Sequence, residues 1–289
     1  MTSNLIGMTR PPVGYGPGSQ PADAEDGEGL NYLPMPKDMQ VYAPHVPEVA
    51  DPGSVVAGLA RLDALQGGLA GHAADMPFTV TLDDLSGADR KLIDEALGEG
   101  EVSALVIGPD ERIEIQEATL AGVWRLRLHG RGGRLSERVE VGAFPRVAVE
   151  RAFPPRRRDM AAHLAAPPPG VVNAPAILAE LDHRSRIWVP GTPVHVINLS
   201  LLPHSPEDTA FLEQALGQGA TTVLSRGYGN CRLTSTGLQH VWCVRYYNSV
   251  DTLILDTLEV TDLPEVACAA IEDIADSAER LGDIIAAIR

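Results

Sequence analysis

Cysteine is scarce in this chain: Cys231, Cys243 and Cys268 are the three among 289 residues, and no C-x-x-C pair occurs. That excludes a secreted disulfide framework and fits a reducing cytoplasm. Basic residues are few as well. Lys+Arg 23 against Asp+Glu 39 gives a net charge of -16, which repels a phosphate backbone or an anionic membrane face. The N-terminal residues hold neither a basic n-region nor an apolar h-region, so no export is expected. No stretch approaches the roughly 18 consecutive apolar residues of a membrane-spanning helix, and the chain reads as soluble. What is present is 44% hydrophobic residues over a length that allows one large or two medium domains.

Residues 1–52 carry Pro11, Pro12, Pro17, Pro21, Pro34, Pro36, Pro44, Pro47 and Pro52, and their acidic residues outnumber Arg10 and Lys37. Such a segment cannot bury enough apolar surface to offset its ordering entropy, so it reads as a flexible arm whose LPMP at 33–36 docks as an extended strap. Beyond it the chain matches itself at an offset of 119. LARLD at 59–63 meets LAELD at 178–182, and Ser86-x-x-Asp89 meets Ser205-x-x-Asp208. EALGEG at 95–100 meets QALGQG at 214–219, and after a one-residue slip Val123-Trp124 meets Val241-Trp242. LSERVEV at 135–141 then meets ILDTLEV at 254–260. Colinear matches in this number point to a duplication. The expected organisation is an arm at 1–52, one copy at 53–158 and a second at 159–289.

Each copy reads as helix, strand, helix, a four-strand antiparallel meander and a final helix, an α+β fold in tandem. In the second copy 174–185 is helical in pattern and 194–199 is extended. Ser205 suits a helix N-cap, Pro206 the first turn and Asp208 the positive end of the dipole. Gly217 stops that helix. Strands follow near 220–226, 230–236, 240–247 and 252–259. Ile271, Ile274, Ala278, Leu281, Ile285 and Ile288 then form a helical apolar stripe, which either packs on the sheet or joins a second copy of the chain as a homodimer.

The copies diverge most at the first turn of the meander. The first has Gly108-Pro109-Asp110-Glu111, and the second has Gly227-Tyr228-Gly229-Asn230-Cys231-Arg232. An aromatic between glycines followed by an amide, a thiol and a guanidinium makes Tyr228, Asn230, Cys231 and Arg232 candidates for partner binding. The same residues also suit an ordinary hairpin, with Gly227 and Gly229 at positive φ and Cys231 as a small buried hydrophobe. Cys231, His240 and Cys243 form a weaker candidate set for a metal, although strand alternation puts Trp242, Val244 and Tyr246 on one face and Cys243 and Arg245 on the other. No base or oxyanion site accompanies a thiol, so no catalytic residue is assigned. Arg112, Arg125, Arg127, Arg131, Arg134, Arg138, Arg146, Arg151 and Arg156-Arg157-Arg158 suggest a basic sheet face in the first copy, answered by the acidic arm or the last helix, or open to an anionic partner.

SRGYGNCRL at 225–233, VWCVRYYNS at 241–249, LILDTLEV at 253–260 and LPEVACAAIEDIADSAERL at 263–281 closely resemble the C-terminal conserved region of the HupH/HyaF hydrogenase expression family. LPMP at 33–36 and NAPAILAEL at 173–181 are similar to that family too; Cys243 stands where a second large residue is expected after Trp242. The resemblance implies a cytoplasmic, non-catalytic accessory chaperone without a cofactor, used in maturation of uptake [NiFe]-hydrogenase. Its implied client is the iron–sulfur small-subunit precursor before export, and its implied co-worker is a thioredoxin-like accessory protein of the HyaE/HupG type. A metal or iron–sulfur carrier using Cys231, His240 and Cys243 is the alternative.

Overall fold

Leu59, Leu62, Leu65 and Leu69 recur at helical spacing and form the buried edge of the first helix, α1 (Val56–Ala70), in the computed structural model, which describes residues 46–49, 51–71, 78–156, 158–227 and 230–289. After it come β1 (Phe78–Thr81), α2 (Gly87–Leu97) and a meander of β2 (Val102–Ile107), β3 (Arg112–Glu117), β4 (Val123–His129) and β5 (Leu135–Val141). Two short helices, α3 (Arg146–Glu150) and α4 (Ala161–Ala165), are separated by Pro154-Pro155. The second half runs α5 (Ala174–Ile187), β6 (His195–Asn198), α6 (Pro206–Leu216), β7 (Gln218–Ser225), β8 (Asn230–Thr236), β9 (Val241–Tyr247), β10 (Leu253–Val260) and α7 (Ile271–Ile288). The expected arm and its LPMP strap lie almost wholly outside the described residues.

The two Ser-x-x-Asp motifs do the same local work. Ser86 and Ser205 accept the Asp89 and Asp208 backbone N–H groups at the starts of α2 and α6, at 3.2 and 3.0 Å. Each aspartate also reaches the helix before it: Asp89 accepts Gly58 N–H at 2.7 Å, and Asp208 accepts Val172, Asn173 and Ala174 N–H at 2.8, 3.0 and 2.9 Å. Both helices stop at glycines with φ of +59° at Gly98 and +62° at Gly217, a conformation that favours glycine.

The meanders do not form separate sheets. They join through antiparallel β2 and β7 into one ten-stranded sheet of order β1-β5-β4-β3-β2-β7-β8-β9-β10-β6. Ala104 pairs with Val223, its own counterpart at the offset of 119, and Val102 pairs with Ser225 as Val106 pairs with Thr221. The seam is therefore pseudo-two-fold about the Ala104–Val223 pair.

Period-2 alternation gives the sheet two differently covered faces. The front face carries Trp124, Leu126, Cys231, Leu233, Trp242 and Val244 with α3 and the Glu265–Ala267 turn packed among them. Trp124 Nε1 donates to Gly142 O at 2.8 Å and Trp242 Nε1 to Asp262 O at 3.0 Å, so both buried indoles are anchored alike. The back face is covered in two places: Val123, Val139 and Val141 lie under α1 and α2, and Val241, Leu258 and Val260 lie under α5 and α6.

The trailing segments are exchanged. Ile274, Ala278, Leu281, Ile285 and Ile288 of α7 are buried with Leu59, Leu62 and Leu65 of α1, while Met160 just before α4 is buried with Leu178 and Leu181 of α5. The α7 stripe thus serves the first half's core rather than a second chain; Ile271 alone of the predicted stripe is exposed. The arginine cluster is likewise not a single basic face. Arg125 and Arg127 share the back face with Glu137, and Arg138 shares the front face with Glu140. Partners are local: Arg112–Glu114, Arg146–Glu150 and Arg131–Asp110, with no ion pair to α7 among them.

Candidate functional site

Between α2 and α6 the back face of the four central strands, β3, β2, β7 and β8, carries no helix among the described residues. Two adjoining hollows of about 510 and 410 Å³ occupy this cleft and meet at Gln218. Its floor carries Ser103, Leu105 and Ile107 from β2, Thr222 and Leu224 from β7, Glu114 and Gln116 from β3, and Arg232 and Thr234 from β8. Ile107 and Leu224 are exposed, an uncommon position for large apolar groups at the centre of a sheet.

Ion pairs line both walls. Burial would raise the Glu137 carboxyl, but the Arg127 hydrogen bond at 2.8 Å and the Arg125 and Arg90 charges outweigh it and hold it below its ordinary value. Across the cleft Arg245 bonds Asp256 and Glu213, both at 3.1 Å. Among the described residues Arg232 makes no ion pair, so its exposed guanidinium is available to a ligand.

The candidate hairpin residues do not converge. Tyr228 and Gly229 lie outside the described residues. Asn230 and Arg232 are exposed, and by alternation both sit on the cleft face. Cys231 points the other way, buried on the front face beside Leu233 and opposite Tyr246. Gly227 is not at positive φ, contrary to the hairpin expectation; a Cβ there would meet the Glu101 carboxylate.

The thiol geometry also separates the metal candidates. Cys243 pairs with Thr234, three residues from Cys231, so the two sulfurs lie on opposite faces of the sheet. His240 sits in the β8–β9 turn, stacked on Trp188 with ring centroids 3.8 Å apart. Among the described residues no three His, Cys, Asp or Glu side chains are grouped as metal ligands. Burial pushes the thiol of Cys231 up to about 11 and that of Cys243 up to about 12, although Tyr246 and Arg245 partly oppose the rise, whereas Cys268 is exposed. Neither Cys231 nor Cys243 is a ready nucleophile at neutral pH.

Sequence reasoning found Asn230 and Arg232 but missed the floor they belong to. The available signal was apolar residues at adjacent positions of β2, Ala104-Leu105-Val106-Ile107, which put apolar groups on both faces of a strand. No local pattern showed that β2 lies beside β7, or that the helices leave this strip open.

The family model described as HupH hydrogenase expression protein, C-terminal conserved region, matches residues 60–161 and 171–288. The chain is 47% identical over 281 residues to hydrogenase expression/formation protein HupH of Rhodobacter capsulatus, covering 96% of this chain and 98% of that protein. It is 33% identical over 282 residues to hydrogenase-1 operon protein HyaF of Escherichia coli strain K12, covering 93% of each. Among solved structures, hydrogenase expression protein HupH from Thiobacillus denitrificans matches 40% of this chain and 96% of its own length at 26% identity, with a TM-score of 0.38.

Proposed function

Since the chain belongs to the HupH hydrogenase expression protein family, we propose that it is an accessory chaperone in maturation of an uptake [NiFe]-hydrogenase. Its client is the iron–sulfur small-subunit precursor, held before export, and the chain works in the cytoplasm without a cofactor or a catalytic step of its own. A thioredoxin-like accessory protein of the HyaE/HupG type acts beside it. In this reading the chain is an arm at 1–52 followed by duplicated copies at 53–158 and 159–289. The sequence offset of 119, the two family-model segments and the dyad at Ala104–Val223 support the duplication.

The observation that carries the binding role is the central strip of the sheet, left without a helix among the described residues. There exposed Leu224 pairs across the strands with Arg232, which makes no ion pair among those residues, and Ile107 is exposed further along the same face. Apolar surface with a few placed polar groups is what a protein-binding site requires. Asn230 and Arg232 supply polar contacts from one side of the strip, and Tyr228, two residues before Asn230 in sequence, is the remaining candidate contact. The carrier alternative finds no support in the placement of Cys231 and Cys243 on opposite faces.

The test is capture of purified small-subunit precursor by the full chain. Asn230→Ala combined with Arg232→Ala is expected to cut capture at least tenfold while moving the thermal midpoint by only a few degrees, as exposed substitutions do. Recovery no better than with an unrelated iron–sulfur protein would sink the chaperone reading.

A further inference from the structure

The two outer edges of the sheet occupy equivalent places in the two halves and are finished differently. Beyond β1, Leu82 is buried and donates its N–H to Glu137 O at 2.9 Å. Asp83 accepts the Glu137 N–H and the Ser136 hydroxyl at 2.7 Å each, and Arg61 pairs with Asp84 at 2.8 Å. Charges of this kind stop an edge from taking another strand.

At the other edge the offset of 119 puts Leu201 where the first half has Leu82 and Leu202 where it has Asp83. Leu201 is 81% exposed. The last β6–β10 pair is Asn198 with Thr257, and Ser200 Oγ accepts the next Asp256 N–H at 2.9 Å; past that bond the Leu253–Leu255 end of β10 runs on with no strand outside it among the described residues. Ile254 there is 60% exposed and Val250 in the adjoining turn 74%, with Leu253 also exposed. Val250 and Leu253 replace Arg131 and Arg134 of the first half. Across 194–203 and 248–255, Asp251 is the sole Asp, Glu, Lys or Arg in a chain of net charge -16.

We propose that this edge is the interface between two copies of the chain, related by a two-fold axis. An isologous contact needs a self-complementary patch, and a row of aliphatic groups free of charge meets that need. Leu253-Ile254-Leu255 reads the same in both directions, so antiparallel apposition sets apolar on apolar. The molecule already makes such a contact within itself at β2–β7, where equivalent strands pair about a dyad. Leu201, Leu202, Val250, Leu253 and Ile254 offer on the order of 500 Å² of apolar surface, within the range of a typical monomer's largest patch and just below what each partner gives a standard interface. The acidic charge elsewhere opposes association, and salt screens it, so the dimer strengthens as ionic strength rises.

Sedimentation and light scattering of the full chain over the micromolar range, at low and high salt, test this. The wild-type mass is expected to move from 30.8 kDa toward twice that value with concentration, and further at high salt. Leu201→Lys and Ile254→Lys are expected to hold the mass at 30.8 kDa with circular dichroism and thermal midpoint unchanged, and Leu135→Lys, at the equivalent place in the first half, to dimerise as wild type does. A wild-type chain that stays monomeric at every concentration and salt overturns the proposal, as does a dimer that survives both lysines together. If the wild type is monomeric and the lysine variants instead lose capture of the small-subunit precursor, the edge belongs to the client and self-association is refuted. The cleft variants at Asn230 and Arg232 are distinct, so either conclusion can fail without the other.

Discussion

Replacing Asp208 by Asn should cost more stability than the same change at Asp89, and the cost should vanish in acid. The Asp208 carboxylate is 1% exposed and takes three backbone N–H groups at the start of α5 through one oxygen and Ser205 N–H, at 3.1 Å, through the other. Burial alone would raise its pKa, but these backbone hydrogen bonds outweigh burial and bring it down to about 2. Against an unfolded value near 4, the shift corresponds to about 2 kcal/mol at neutral pH. Asp208→Ala also strands the Ala174 N–H, which is fully buried, and removes a cap worth about 1 kcal/mol, giving roughly 3–5 kcal/mol in total. The Val172 and Asn173 N–H groups belong to exposed residues and can rehydrate, so they add less.

The sign follows from linkage. A carboxyl whose folded pKa is depressed contributes stability that is present above the unfolded pKa and lost as pH falls through the folded one. The Asp208→Asn deficit should therefore hold at about 2 kcal/mol from pH 7 to pH 5 and shrink toward zero near pH 2. Asp89 accepts one N–H from α1 in addition to its Ser86 bonds, so Asp89→Asn should cost about half as much. Urea unfolding of wild type and both variants across that pH range supplies the comparison. A pH-independent deficit, or equal costs at the two sites, would refute the capping argument.

Other outcomes are equally specific. Glu117 is raised to about 7, chiefly by burial, so its charge opposes folding as pH climbs from the unfolded value through 7; Glu117→Gln should stabilise by on the order of 2 kcal/mol at pH 8 and by almost nothing at pH 4, read from thermal midpoints. Alkylation of Cys231 and Cys243 should be slow at pH 7–8 and speed up only in strong alkali or on unfolding, with exposed Cys268 as the internal comparison; rapid labelling of Cys231 at neutral pH would contradict its burial. Leu281→Ala should cost about 2–5 kcal/mol by opening a cavity between α7 and α1, and should expose first-half amides to hydrogen exchange before those of α5 and α6. Gly122→Ala should cost roughly 2–4 kcal/mol, because φ is +77° and a Cβ would come within 2.5 Å of Ile274, whereas His240→Gly in the second half should stay within about 1 kcal/mol.

Much of the fold was legible locally. Helix starts at Ser86 and Ser205, stops at Gly98 and Gly217, and strands within two residues of their observed ends in the second half all follow from capping, left-handed glycine and period-2 alternation. The opposite facing of Cys243 and Trp242 was legible for the same reason. The misreadings concern partners far apart in sequence. The α7 stripe gave its helix and its apolar face but not its destination, because an apolar stripe specifies only that something must cover it. The arginines of the first half counted as one face only until register assigned each to a side of the sheet and a neighbouring carboxylate. Of the two readings open for Cys231, a partner-binding thiol or a small buried hydrophobe, its position in β8 selects the second by aiming it into the front-face core.

By itself the sequence determined the elements, their order, the offset that relates the halves and the family, since these depend on short-range backbone chemistry and residue identity. Tertiary structure decided that two meanders become one sheet, that their trailing helices change places, and that among the described residues no helix covers the central strip. Those outcomes depend on which strand edges find hydrogen-bond partners and which apolar faces find cover, and both are settled between residues more than a hundred positions apart.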